Sequence, residues 1–79
     1  MSVYTTVKSA WYEESFVQYA QPCSLRVKED NENLIFRLDY EYLSYAFALN
    51  KYELESLPLR KATDIILLKI SEAKYALGT

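Results

Sequence analysis

The chain contains no histidine, one cysteine, one glycine and two prolines among its 79 residues. Without histidine there is no Ser-His-Asp or Cys-His arrangement and no imidazole general base. Zinc sites assembled from Cys and His clusters are equally excluded. A single glycine cannot build a phosphate-cradling loop or a dinucleotide fingerprint. One cysteine, Cys23, forbids an intramolecular disulfide and fits a reducing compartment. With only Arg26 near it in sequence to activate it, Cys23 reads as a small apolar strand residue.

Long apolar runs are missing too. The longest, Ile65-Ile66-Leu67-Leu68, falls far short of the ~20 residues of a membrane span. The first residues, Met-Ser-Val-Tyr-Thr-Thr, lack the basic segment and apolar stretch of a signal peptide. Together these features predict a soluble, cytoplasmic protein with no membrane partner. Charge of one sign is also scarce: the net charge is −2, with −4 on residues 1–58 and +2 on residues 59–79. Such a dipole orients a partner without holding one.

What the chain does have is aromatic and aliphatic surface. Eight tyrosines, three phenylalanines and one tryptophan contribute to a hydrophobic fraction of 51%. That content excludes disorder and suits one small domain over residues 1–79.

The pattern predicts an α+β domain, β-rich over 1–56, with a helix over about 57–77. Cys23, Leu25 and Val27 alternate with Ser24, Arg26 and Lys28, the period of a half-buried strand. After the polar break Glu29-Asp30-Asn31-Glu32-Asn33, a second run sets Leu34, Phe36, Leu38, Tyr40 and Tyr42 against Ile35, Arg37, Asp39 and Glu41. The two runs form a hairpin, with Tyr40 and Tyr42 assigned to the core. After Tyr42 the phase changes, and Leu43, Tyr45, Phe47 and Leu49 become the apolar set. A bulge or bend at Tyr42-Leu43 accounts for this; a short helix capped by Asp39 is the alternative. Asn50-Lys51 then turns into a last strand with Tyr52 and Leu54 on one side. Weaker strands are expected at 3–10 and 16–21, joined through Trp11-Tyr12-Glu13-Glu14, with a helix over 10–20 as the alternative. The whole is a curved antiparallel sheet of four to five strands.

The C-terminal helix has the clearest signal. Leu59, Ala62, Ile66, Ile70, Ala73 and Leu77 recur at steps of three and four, and Ile65 and Leu67 widen that apolar face. Ser56 suits an N-cap, Pro58 the first turn and Gly78 a left-handed C-terminal cap. The helix packs across the sheet as the second layer.

The candidate sites are contact surfaces. On the helix side opposite the apolar stripe, Leu68 and Tyr75 form a strip beside Lys61, Asp64, Ser71 and Glu72. Trp11 and Tyr12 form a second bulky pair, of the kind that anchors interfaces. The acids at 29–32 and Glu53 and Glu55 offer charge for a rim. The i, i+2 acid pairs Asp39/Glu41 and Glu53/Glu55 read as solvated strand faces, and the acidic loop lacks the spacing of a calcium loop. Arg26, Lys28 and Arg37 share an outward strand face and offer a nucleic-acid surface on which tyrosines would stack.

The hairpin followed by an amphipathic helix resembles small bacterial regulatory proteins with an SH3-like or Tudor-like sheet. Size, mild acidity and missing catalytic residues are similar to those of small phage-encoded inhibitors of host machinery. Both resemblances imply a regulatory or inhibitory protein; with the catalytic residue types missing, the expectation is a non-enzymatic protein-binding module without a cofactor that acts by occluding or bridging its partner. A homodimer through Leu68 and Tyr75 is a further expectation. Single-stranded nucleic-acid binding is the alternative function.

Overall fold

The computed structural model describes the backbone of residues 7–79 and the side chains of residues 13–79. The elements run α1 (Val7–Ala20), β1 (Ser24–Glu29), β2 (Asn33–Tyr40), β3 (Leu43–Asn50), α2 (Lys51–Glu55) and α3 (Leu59–Ala76). The strands form one three-stranded antiparallel sheet in the order β1-β2-β3, so β2 is central and, among the described residues, no further strand pairs with either edge. The domain is therefore α+β, with three strands among the described residues where four or five were expected.

The first hairpin matches the alternation. Leu25 faces Leu38 and Val27 faces Phe36, and these side chains share the inner face. Leu34, Phe36 and Leu38 on β2 are fully buried, because helices cover that face. Phe36 lies at the centre of an aromatic group. Its ring stacks on Phe47 at 4.9 Å and meets Phe16 edge-on at 6.2 Å. Such pairs add about 0.5–1.5 kcal/mol beyond their area burial.

The phase change after Tyr42 is a chain reversal rather than a bulge or a helix. Glu41 and Tyr42 form a two-residue turn, and Tyr40 pairs with Leu43 across it. Glu41 takes a positive φ of 56°, the left-handed conformation that tight hairpin turns demand. Tyr42, expected in the core, stands at the turn fully exposed; Tyr40 is partly buried against the core. Asp39 and Glu41 consequently do not share a strand face.

The expected strand at 51–56 is the short helix α2. Asn50 is the reason. Its side-chain oxygen accepts hydrogen bonds from the amides of Tyr52 and Glu53, both at 3.0 Å, which caps a helix directly at the end of β3. Leu54 is buried from this helix.

Of the expected strand at 16–21, residues 16–20 are helical and Gln21 is in a turn; 7–10 is helical too, and residues 3–6 lie outside the described residues. The alternative helix over 10–20 falls inside α1. Phe16 and Ala20 are buried while Gln18 midway between them is exposed, a spacing that fits a helix face and breaks the alternation of a strand. The Gln21-Pro22 peptide that follows is cis.

α3 buries Ala62, Ile66, Ile70, Ala73 and Leu77, the expected stripe without Leu59, which is exposed in the first turn. Leu67 is partly buried, while Ile65 is exposed. The helix starts after Pro58 with no side-chain cap. Ser56 instead closes α2, its hydroxyl donating to the Glu53 carbonyl at 2.7 Å. At the far end Gly78 adopts φ +84°, its amide bonds to the Tyr75 carbonyl, and the Thr79 amide reaches the Lys74 carbonyl. These two bonds satisfy carbonyls that the last turn leaves open. Lys74 also donates to the Tyr19 carbonyl at 3.0 Å, tying α3 to α1.

Candidate functional site

Among the described helical side chains, the most exposed large apolar ones lie on α3. With its stripe turned into the core, Leu68 is 60% and Tyr75 86% exposed on the opposite side. Seven residues of helix separate them by about 10.5 Å along the axis. Ile65 is exposed one turn before Leu68, so the strip is longer than the sequence suggested. Its missed signal is angular: Ile65 lies nearer Leu68 than Ile66 on the helix. Lys69 and Glu72 pair at 3.7 Å beside the strip and are both well exposed, so this contact adds little stability.

The other candidate residues do not all join it. The backbones of Trp11 and Tyr12 belong to α1 and not to a connection between strands; their side chains lie outside the described residues. Glu53 and Glu55 are exposed on α2. Two helical residues apart, they point about 200° from one another, so they no longer form a paired acidic face.

The acidic loop is part of the scaffold. The Lys51 ammonium donates to Glu29 at 3.1 Å and to the Asp30 carbonyl at 3.0 Å. The Lys51 amide donates to the Glu32 carbonyl at 2.9 Å. Lys51 is only 9% exposed, so its charge requires these partners. Asn31 and Glu32 remain exposed at the loop tip.

Arg26, Lys28 and Arg37 do share the outer sheet face. Arg26 sits opposite Arg37, and Asp39 bridges them, at 3.4 Å from Arg26 and 3.0 Å from Arg37. Lys28 lies exposed opposite Ile35. The remaining outer-face positions of the sheet are Ser24, Asn33, Ser44, Ala46, Ala48 and Asn50. None is aromatic. Tyr40 and Tyr45 belong to the inner face, so the strands separate the cations from the tyrosines that a stacking platform needs.

Among the described residues, no three Cys, Asp or Glu side chains gather as a metal site, and no buried side-chain polar atom lacks a partner. Cys23 is buried, with its sulfur 3.9 Å from the Thr79 hydroxyl. Glu13, Glu14, Val17 and Gln18 line an open depression on α1 rather than an enclosed cavity. No described helix is long and apolar enough to cross a membrane.

No family model, curated protein or solved structure matches the chain.

Proposed function

We propose that this chain is a small non-enzymatic protein-binding module, regulatory or inhibitory, that docks on its partner through the outer face of α3. The observation carrying this reading is the exposure of Leu68 and Tyr75 on the side of a helix whose other side is fixed in the core. A rigid helix presenting apolar anchors suits a partner with an apolar groove. Tyrosine is suited to that role, since its ring supplies contact area and its hydroxyl tolerates water before binding. Lys61, Asp64 and Glu72 form the polar surround, which favours one orientation over others.

The test is an affinity pull-down from native lysate, with nuclease treatment, comparing the wild type with the Leu68→Ala/Tyr75→Ala double variant. A stoichiometric protein that survives nuclease and is lost by the double variant supports the reading. Retention of that protein by the variant removes α3 from the interface. Both substitutions lie on the exposed face, so the thermal transition should stay close to that of the wild type.

A further inference from the structure

The outer edge of β3 differs from every other surface of the sheet. β3 is a terminal strand eight residues long, Leu43-Ser44-Tyr45-Ala46-Phe47-Ala48-Leu49-Asn50, without a charge, proline or glycine. The opposite edge, β1, carries Arg26, Lys28 and Glu29 and packs beside α1. Natural edge strands are usually guarded by charges, prolines or bulges that discourage further pairing. β1 has such guards and β3 has none.

The register decides which groups are available. Tyr40 and Leu43 close a two-residue turn, and a closing pair of this kind exchanges hydrogen bonds. Alternation along an antiparallel pair then turns the amides and carbonyls of Leu43, Tyr45, Phe47 and Leu49 toward β2. The Lys51 amide, on the Glu32 carbonyl, continues the same parity. Ser44, Ala46 and Ala48 therefore aim their backbone groups away from the sheet. None of the described residues hydrogen-bonds to those outward groups. Their side chains are small and exposed, so they do not screen the edge.

We propose that β3 pairs with β3 of a second copy of this chain, antiparallel about a two-fold axis at Ala46, merging two sheets into one. In this register Ala46 bonds to its own counterpart and Ser44 bonds to Ala48, using three of the four outward positions of β3; the fourth, Asn50, caps α2. The intervening pairs set Tyr45 against Phe47 of the other copy and Leu43 against Leu49. Aromatic and aliphatic pairs of this kind stabilise adjacent strands. Leu43 is 55% and Tyr45 41% exposed on the inner face of the single chain, and this pairing covers them. An uncharged strand opposes no like charges when it meets itself. The occupant follows from the strand's own sequence: about Ala46 its small residues meet small ones and its large residues meet large ones, so β3 is complementary to itself.

This surface is separate from the α3 strip, so its test is independent of the function proposed above. Sedimentation of the full chain over a range of concentrations should show a monomer–dimer equilibrium. Hydrogen exchange should find the Ser44, Ala46 and Ala48 amides protected increasingly as the dimer fills. Ala46→Pro removes a donor at the axis that β2 does not use, and Ala46→Lys sets like charges against each other there. Each should weaken the dimer by about tenfold or more while the Phe36 amide stays protected. A chain that remains monomeric at every concentration overturns the proposal. So does a dimer in which those three amides exchange freely, a result that requires no variant to fold.

Discussion

Lys51 and Glu29, 22 residues apart, meet at 3.1 Å where β3 passes into α2. Through this contact the loop of the first hairpin is fastened to the end of the second. Composition suggested that the loop's acids were free for a partner; the buried lysine uses one of them. Glu29 is partly exposed, so the pair contributes less than a fully buried one.

Replacing Glu29 by Ala should therefore destabilise the domain by about 1–2 kcal/mol, the scale of a partly buried charged hydrogen bond. Lys51→Met keeps the apolar stem and removes the ammonium. A double-mutant cycle with these variants, read by urea denaturation, should return a coupling of about 1 kcal/mol. Additive effects would mean that the contact contributes nothing.

Asn50 ends β3 and caps α2 with the same residue. Asn50→Ala should cost about 1 kcal/mol, whereas Asn50→Asp should cost much less, because it keeps an oxygen for the Tyr52 and Glu53 amides. Equal losses in both variants would show that the side-chain oxygen is not what starts the helix.

Glu41 occupies a left-handed conformation without being glycine. Such a residue is disfavoured by roughly 1–2 kcal/mol, partly offset by the greater freedom glycine has when unfolded. Glu41→Gly should raise the urea midpoint with an unchanged slope, by about 1 kcal/mol in stability. A bulge in a continuous strand would respond in the opposite direction, since glycine weakens a strand interior.

Arg26 and Arg37 both engage Asp39, and the outer face holds no aromatic ring. Titration with a labelled single-stranded oligonucleotide at low salt should show no binding, although the electrostatic term is then largest. Asp39→Ala releases both arginines and is the variant in which residual, steeply salt-dependent binding should emerge. Tight binding by the wild type would instead favour nucleic acid as the partner.

The first hairpin and α3 were legible because their signals are local. A polar run of five residues, Glu29 to Asn33, spans the junction of β1 and β2, and the stripe from Ala62 to Leu77 repeats at helical steps. Gly78 marks the helix end because its left-handed φ admits few other residues. The candidate strip followed from that stripe by subtraction: Leu68 and Tyr75 are apolar residues left on the other side. Ile65 lay at the border, and only the way α3 is rolled on the sheet exposes it.

The second hairpin was not legible in the same way. Its alternation changes phase as that of the first does, but Glu41-Tyr42 contains no glycine, asparagine or proline to announce a turn. A bulge and a reversal produce the same change of phase in one dimension. They differ in whether Phe47 lies beside Phe36, and that contact exists only when the chain has folded back. α1 was hidden for a related reason, since Phe16 and Ala20 show a helical face only with a core to bury them. Periodicity thus determined which side chains of this protein seek a surface; tertiary structure decided which surface they meet, because burial is a relation between segments distant in sequence.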